Sequence, residues 1–124
     1  MMTSGTHGTT FGGNALACAA GSIVLDELEH GLMDLVASNG AWFNDKLHQL
    51  ALENPSLIEG IRGTGFMVGI NFRQDAKQIH KDLLERGIIT NVTHETVLRL
   101  LPPLIAERAD LERFLEALRE VLEK

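Results

Sequence analysis

The sequence predicts an α+β domain: a small, mostly antiparallel sheet of about four strands, covered by helices and preceded by a long helix. Three observations predict this fold class. Helical periodicity recurs in four segments, short runs of β-branched and aromatic residues lie between them, and glycine or proline stands at most boundaries. The resulting order is ααββαββα, which is typical of a layered α+β domain.

The first predicted helix follows a leader rich in glycine, threonine and serine. Asn14 can cap the helix by accepting a first-turn N–H, and Gly31 can end it in the left-handed conformation. Small residues fill its first half and would let another backbone approach closely. The larger apolar residues predict a buried stripe that packs on two neighbouring elements: Leu16, Ile23, Val24 and Leu28.

A second helix is predicted over residues 32–53, with Gly40 as a weak point at its centre. Residues 57–72 then predict two strands, because β-branched and aromatic residues alternate with glycines. Gly63 and Gly65 indicate a sharp bend between these strands. This hairpin is expected to begin the sheet.

A shorter helix follows the hairpin, with Asp75 as its cap and Gly87 as its end. Residues 87–92 predict a third strand, and residues 96–101 predict a fourth that stops at Pro102. A final helix is predicted from apolar residues at helical spacing, with charged residues on its outer face: Leu111, Phe114, Leu115, Leu118 and Leu122.

Composition excludes several classes of function. The 124 residues include 17 acidic and 11 basic side chains, and this net charge of -6 argues against nucleic-acid binding. One cysteine, Cys18, permits no internal disulfide, and no Cys/His set has zinc-site spacing. No apolar run is long enough to span a membrane and no signal peptide is evident, so we expect a cytoplasmic protein without membrane, nucleic-acid or metal partners.

The segment HGTTFGGN, residues 7–14, combines two hydroxyls with glycine-rich backbone directly before a helix. Threonine hydroxyls and free N–H groups at a helix N-terminus together favour an anion. From spacing alone, a flexible tail with an ordinary helix cap is favoured over phosphate binding by about two to one. The pattern by itself leaves both interpretations open.

HGTTFGGN followed by ALACAA resembles the signature of class III aminotransferases, which depend on pyridoxal phosphate. Three later segments resemble family motifs in the same order: RGTGFM (62–67), GIITNVT (87–93) and VLRLLPPL (97–104). The last two are most similar to the acetylornithine aminotransferase branch. Ala15 departs from the usual proline, a small change at a first helical position. The resemblance covers essentially the whole chain and corresponds to about the last third of such an enzyme.

The resemblance implies a division of the chain and roles for four residues. Residues 1–13 would be a phosphate-contacting loop remnant of the large domain, and residues 14–124 the C-terminal small domain of a fold-type I aminotransferase. Thr10 would contact the cofactor phosphate across a dimer interface, assisted by Thr9 and Gly8. Arg99 would bind a carboxylate of an amino-acid substrate, a role that suits a planar guanidinium. Without the resemblance, a strand arginine paired with an acidic helix is the simpler interpretation of Arg99.

The catalytic lysine of this family lies upstream of HGTTFGGN and is absent from the chain. The lysines present are predicted on solvated helix faces or at the terminus: Lys46, Lys77, Lys81 and Lys124. A lysine that forms a Schiff base needs an apolar setting that lowers its pKa. We therefore predict no catalytic residue here, no turnover by this chain alone, and no stably bound pyridoxal phosphate.

The function implied for the whole enzyme is amino transfer between N-acetylornithine and 2-oxoglutarate in arginine biosynthesis, by a homodimer. Two alternatives remain from the sequence. The chain could act as a non-catalytic, self-associating interaction domain that uses its small-residue first helix. It could also bind a phosphorylated small molecule weakly through the threonine loop, without chemistry.

Overall fold

A computed structural model describes residues 8–123 and confirms the predicted α+β class and the order ααββαββα. The helices are α1 (Ala15–Glu27), α2 (Met33–Glu53), α3 (Lys77–Glu85) and α4 (Arg108–Leu122). The strands are β1 (Ile58–Thr64), β2 (Met67–Phe72), β3 (Asn91–Thr93) and β4 (Val97–Leu100). The chain forms two compact units, of which the first ends at Met33 and the second begins at Asp34.

Within the described residues, the first unit comprises residues 8–14, α1 and the turn that follows this helix. Asn14 caps α1 as predicted, with its Oδ1 accepting the Ala17 N–H at 2.9 Å. A kinked turn over Leu28–Leu32 follows the helix, and Gly31 has the left-handed φ of 113° that its predicted role requires. The first helix therefore has the predicted cap and stop.

The predicted buried stripe on the first helix is wrong for the described residues. No residue of α1 is buried, and large apolar side chains on it are open to solvent, Leu16 at 81% and Ile23 at 64%. Val24 is also exposed, and Leu28 is only half-buried. An apolar stripe is buried only where another element covers it, and among the described residues α1 is the only α-helix that lies entirely within its unit.

The second unit is built on a four-stranded antiparallel sheet in the order β1-β2-β4-β3. One face of the sheet carries the apolar side chains of β2 and β4, and these join side chains of α2, α3 and α4 in the core. The most enclosed members include Leu47, Ile70, Leu83, Leu98 and Leu118, each at 0% exposure. Because side chains alternate along a strand, the residues between these positions point to the opposite face.

Gly40 lies where α2 comes close to the β1–β2 turn. A Cβ built on Gly40 would lie 2.7 Å from the Gly65 Cα, so only glycine fits there. Asn44 spans the same contact, since its Nδ2 donates to the Gly40 oxygen at 2.8 Å and to the Gly65 oxygen at 3.2 Å. The sequence identified Gly40 only as a weak point of the helix. The structure shows a packing reason for the glycine.

The third strand is shorter than the sequence predicted. Residues 87–92 were expected to pair, whereas β3 begins at Asn91. The N–H groups of Gly87 and Ile88 instead donate to the carbonyl oxygens of Leu84 and Leu83, both at 2.9 Å. These bonds close α3, and they use backbone donors that a strand would need for pairing.

The ends of α3 and α4 differ from the predictions in detail. The Asp75 Oδ1 accepts the Lys77 N–H at 2.8 Å, as a capping side chain does, although Ala76 holds the N-cap position. In α4, four of the five predicted core residues are buried, but Val121 is buried in place of Leu122, which is half-buried. The helix begins with a reciprocal capping box between Glu107 and Asp110.

The β3–β4 turn holds two residues in an unfavourable conformation. His94 and Glu95 have φ values of 51° and 61°, a region that favours glycine and asparagine. Replacing His94-Glu95 by Asn-Gly is expected to stabilise the chain by about 1 kcal/mol. Urea unfolding of the two proteins measures the difference. The control is Glu112→Gly, which makes the same glutamate-to-glycine change on the exposed face of α4 and should destabilise the chain by about 1 kcal/mol. A turn variant that also lost stability would contradict the strain assigned to His94 and Glu95.

Candidate functional site

The first candidate segment is the loop that leads into α1. Gly8, Thr9 and Thr10 are exposed in the described structure. Gly12 makes room for Thr9, because a Cβ on Gly12 would lie 2.1 Å from the Thr9 Cγ2. The loop therefore presents two hydroxyls and free backbone N–H groups beside the start of a helix, a set of donors suited to a phosphate. His7 of the predicted motif lies outside the described residues.

The second candidate residue, Arg99, lies in β4 and belongs to the second unit. Its Cα pairs with Gly69 of β2 on one side and with Asn91 of β3 on the other. The side chain is exposed, on the face of the sheet opposite Leu98 and Leu100. It contributes to the lining of a shallow cavity of about 400 Å³ on that face. Such a position leaves the guanidinium available to a ligand.

The structure does not support the interpretation of Arg99 as a strand arginine paired with an acidic helix. Lys77 pairs with Asp75 at 3.1 Å and Arg86 pairs with Glu120 at 3.2 Å, whereas Arg99 forms no ion pair within residues 8–123. No side-chain hydrogen bond in the same range engages it either. A free guanidinium on a concave surface is expected to attract an anion.

Arg62 was not among the candidates from the sequence, yet it lines the same cavity as Arg99. It pairs with Gly69 in the β1–β2 ladder, and Gly69 pairs with Arg99 in the β2–β4 ladder. The three residues therefore stand in one row across the sheet. Only the strand order and register reveal this row, because 36 residues lie between Arg62 and Arg99 in the sequence and nothing in that interval marks the two arginines as neighbours.

The described lysines are not placed as cofactor lysines. Lys77 and Lys81 are exposed on α3, and Lys46 is half-buried on α2 with its Nζ donating to Gln49 at 3.1 Å. A hydrogen bond and ion pair with Asp75 raise the pKa of Lys77, the opposite of what a Schiff-base lysine needs. Lys124 lies outside the described residues.

Other kinds of site are not evident in the described part of the chain. Residues 8–123 contain no cluster of three or more histidine, cysteine and acidic side chains that could hold a metal. Within the same range, no helix is both long enough and apolar enough to cross a membrane. The cavity lined by Arg62 and Arg99 and the loop of Gly8, Thr9 and Thr10 are two features that offer donors to an anionic ligand.

Comparison with known proteins decides the family. The model of the family described as Aminotransferase class-III matches residues 1–122. The chain belongs to the class III aminotransferase family. The resemblance predicted from the sequence is therefore confirmed over nearly all of the 124 residues.

Curated relatives of this class III chain include two enzymes with 40% identity. Acetylornithine aminotransferase of Aquifex aeolicus aligns over 120 residues, which is 97% of this chain and 30% of the relative. Ornithine aminotransferase of Exiguobacterium sp. aligns over 119 residues, 95% of this chain and 29% of the relative. The chain thus spans about a third of the length of the curated relatives it matches.

Solved structures agree with the fold. The crystal structure of acetylornithine aminotransferase from Elizabethkingia anophelis superposes with a TM-score of 0.84 and 29% identity, over 98% of this chain and 32% of that one. A segment of this larger aminotransferase therefore has the same α+β fold as the present chain.

Proposed function

We propose that this chain is the C-terminal part of a pyridoxal-phosphate-dependent aminotransferase, with N-acetylornithine as amino donor and 2-oxoglutarate as acceptor. Its task in the whole enzyme is to bind and orient ligands. Arg99 binds a substrate carboxylate, and the threonine loop, residues 8–10, donates hydrogen bonds to the cofactor phosphate. The two similar curated enzymes named for acetylornithine and ornithine support this choice of substrate class.

The observation that carries the proposal is the exposed Arg99 guanidinium, which lines a concave surface and has no acidic partner among residues 8–123. Arginine binds a carboxylate through two parallel N–H···O bonds, which fixes the orientation of the substrate as well as its affinity. A rigid position in the middle of an antiparallel sheet suits that task, because the backbone of β4 is hydrogen-bonded on both sides.

The threonine loop fits the phosphate of pyridoxal phosphate. Thr9 and Thr10 offer hydroxyl donors, and the N-terminus of α1 adds a favourable dipole for a dianionic group. The bound cofactor supplies an aldehyde that takes up the amino group of one substrate and returns it to another. The residues of this chain hold the phosphate end of that group and the carboxylate end of the substrate. The complete site takes a second copy of the chain, because we assign Thr10 to the active site of the partner in a homodimer.

The cofactor lysine must come from outside this segment. Lys46, Lys77 and Lys81 lie on helices with solvent access, and none has the apolar surroundings that generate a neutral amine. We therefore expect no transamination by the 124-residue chain alone.

A hybrid enzyme tests the proposed function. The part of the Aquifex aeolicus relative that precedes the matched segment is joined to this chain, and transamination of N-acetylornithine with 2-oxoglutarate is assayed. We expect the hybrid to be active, the 124-residue chain to be inactive, and ornithine to be the poorer donor. Turnover by the 124-residue chain alone, with pyridoxal phosphate added, would contradict the assignment. A folded, dimeric hybrid that binds pyridoxal phosphate but does not transaminate would also count against it.

Self-association is a second candidate role, favoured by the exposed apolar side chains of α1. Leu16, Ile23 and Leu25 are 81%, 64% and 61% exposed. Water disfavours such a surface, and a second copy could cover it. Light scattering coupled to size exclusion would show a dimer of the 124-residue chain, and a monomer at high concentration would argue against this role.

A further inference from the structure

Arg62 and Arg99 lie on the same face of the sheet with only β2 between them. Cα pairing places Arg62 beside Gly69, and Gly69 beside Arg99. Neighbouring antiparallel strands are about 4.8 Å apart, so the two arginine Cα atoms are about 10 Å apart across the row. Both side chains line the cavity of about 400 Å³.

The side chain of Arg62 leans across β2. A Cβ built on Gly69 would lie 3.6 Å from both the Cγ and the Nε of Arg62, and 3.2 Å from the Cγ1 of Val97 in β4. The Arg62 side chain thus occupies space above Gly69, on the side where β4 follows. A larger residue at position 69 would compete with Arg62 for this space.

The two guanidinium groups have no counter-charge of their own. Neither forms an ion pair or a side-chain hydrogen bond within residues 8–123. The acidic side chain on β1, Glu59, accepts a hydrogen bond from Asn71, at the other end of the hairpin. Both side chains are exposed, so their N–H donors are available to a bound anion, which would also relieve the weak repulsion between the two positive charges.

We propose that Arg62 is a second carboxylate-binding residue of the Arg99 site, and that Gly69 is the residue that permits it. The proposal rests on the proposed role of Arg99 as a substrate-carboxylate ligand. Arg99 makes the direct contact from the centre of the sheet. Arg62 reaches over Gly69, adds its charge and donors to the same ligand, and favours dicarboxylates over monocarboxylates.

Titration of the isotope-labelled 124-residue chain with glutarate, followed by nuclear magnetic resonance, tests the proposal without any cofactor. We expect glutarate to shift the Nε–H signals of Arg62 and Arg99 and the amide signal of Gly69. Butyrate, with one carboxylate, should bind more weakly. Absence of shifts at Arg62 and Gly69 at the highest soluble glutarate concentration would overturn the proposal, whereas the role of Arg99 is tested separately by the kinetics of the hybrid enzyme.

Four variants separate the contributions. Arg62→Gln is expected to raise the glutarate dissociation constant about three- to tenfold, and Arg62→Lys should restore most of the affinity. Gly69→Val keeps every charge but takes the space of the Arg62 side chain, so it should mimic Arg62→Gln. Arg119→Gln is the matched control, because it removes one positive charge from α4, whose buried residues belong to the core on the opposite face.

The outcomes distinguish this proposal from the proposed function. If Arg62→Gln weakens binding no more than Arg119→Gln does, while Arg99→Gln abolishes it, Arg62 is not a ligand and the role of Arg99 stands. If Gly69→Val leaves glutarate affinity unchanged, the path of Arg62 over Gly69 is overturned. A dispersed spectrum for each variant shows that the fold is retained.

Discussion

Arg99→Gln in the hybrid enzyme is expected to lower kcat/KM for N-acetylornithine by about 10²- to 10⁴-fold. The substitution removes a bidentate contact, which consists of two charge-assisted hydrogen bonds of about 1.5–3 kcal/mol each. Glutamine keeps much of the side-chain length and polarity but carries no charge. Arg99→Lys keeps the positive charge but lacks the planar guanidinium group that donates two parallel hydrogen bonds, so we expect a smaller decrease in kcat/KM. Initial rates over a range of donor concentrations give the values.

Arg99→Gln should weaken substrate recognition without affecting the stability of the fold or the binding of the cofactor. Arg99 is exposed on β4 and has no partner among the described residues, so its removal should leave the stability of the fold within about 0.5 kcal/mol. Affinity for pyridoxal phosphate should change little, since the phosphate donors are assigned to residues 8–10. Arg119→Gln, with the same change in charge, should retain nearly full activity. An equal loss in that control would show that only the overall charge matters.

Gly40→Ala is expected to destabilise the 124-residue chain by about 2–3 kcal/mol, although alanine is the better helix former. The added Cβ would lie 2.7 Å from the Cα and 2.9 Å from the carbonyl carbon and oxygen of Gly65. These are backbone atoms of the β1–β2 turn, so they cannot swing aside as a flexible side chain would. The helix and the turn must separate, and the Asn44 bond to the Gly65 oxygen at 3.2 Å lengthens with them.

Gly60→Ala provides the matched control for the packing effect. A Cβ on Gly60 would meet no atom within 4 Å, and Gly60 does not have a positive φ. Its stability should therefore change by less than about 0.5 kcal/mol. Urea unfolding of the two variants and the parent chain gives the difference. Equal stability for Gly40→Ala and the parent would contradict the close approach of α2 to the turn.

Elements defined by local patterns were predicted well from the sequence. Asn14, Asp75 and Gly31 act at helix ends for reasons that each residue carries in its own chemistry, namely side-chain acceptors and tolerance of positive φ. The apolar spacing of α4 likewise predicted four of its buried residues. A short-range pattern is sufficient where the deciding interaction lies within one or two turns.

Features that depend on tertiary contacts were not predicted. Gly40 could not be recognised as a packing residue, because its partner Gly65 lies in a turn 25 residues further along the chain. Arg62 could not be grouped with Arg99 before the register of β1, β2 and β4 was known. The apolar side chains of α1 predicted a buried stripe, yet they are exposed in the described structure. A helical pattern in the sequence does not show whether another element covers the apolar face of the helix.

The central claim is that Arg99 recognises the carboxylate of the substrate, and comparison of two donors tests it most directly. N-acetylornithine and N-acetylputrescine differ by that carboxylate alone, and the ratio of their kcat/KM values is measured in the hybrid enzyme with Arg99 and with Arg99→Gln. We predict that the enzyme with Arg99 prefers N-acetylornithine by about a hundredfold or more and that the substitution removes most of this preference. If Arg99→Gln lowers kcat/KM for both donors by the same factor, Arg99 does not bind the carboxylate.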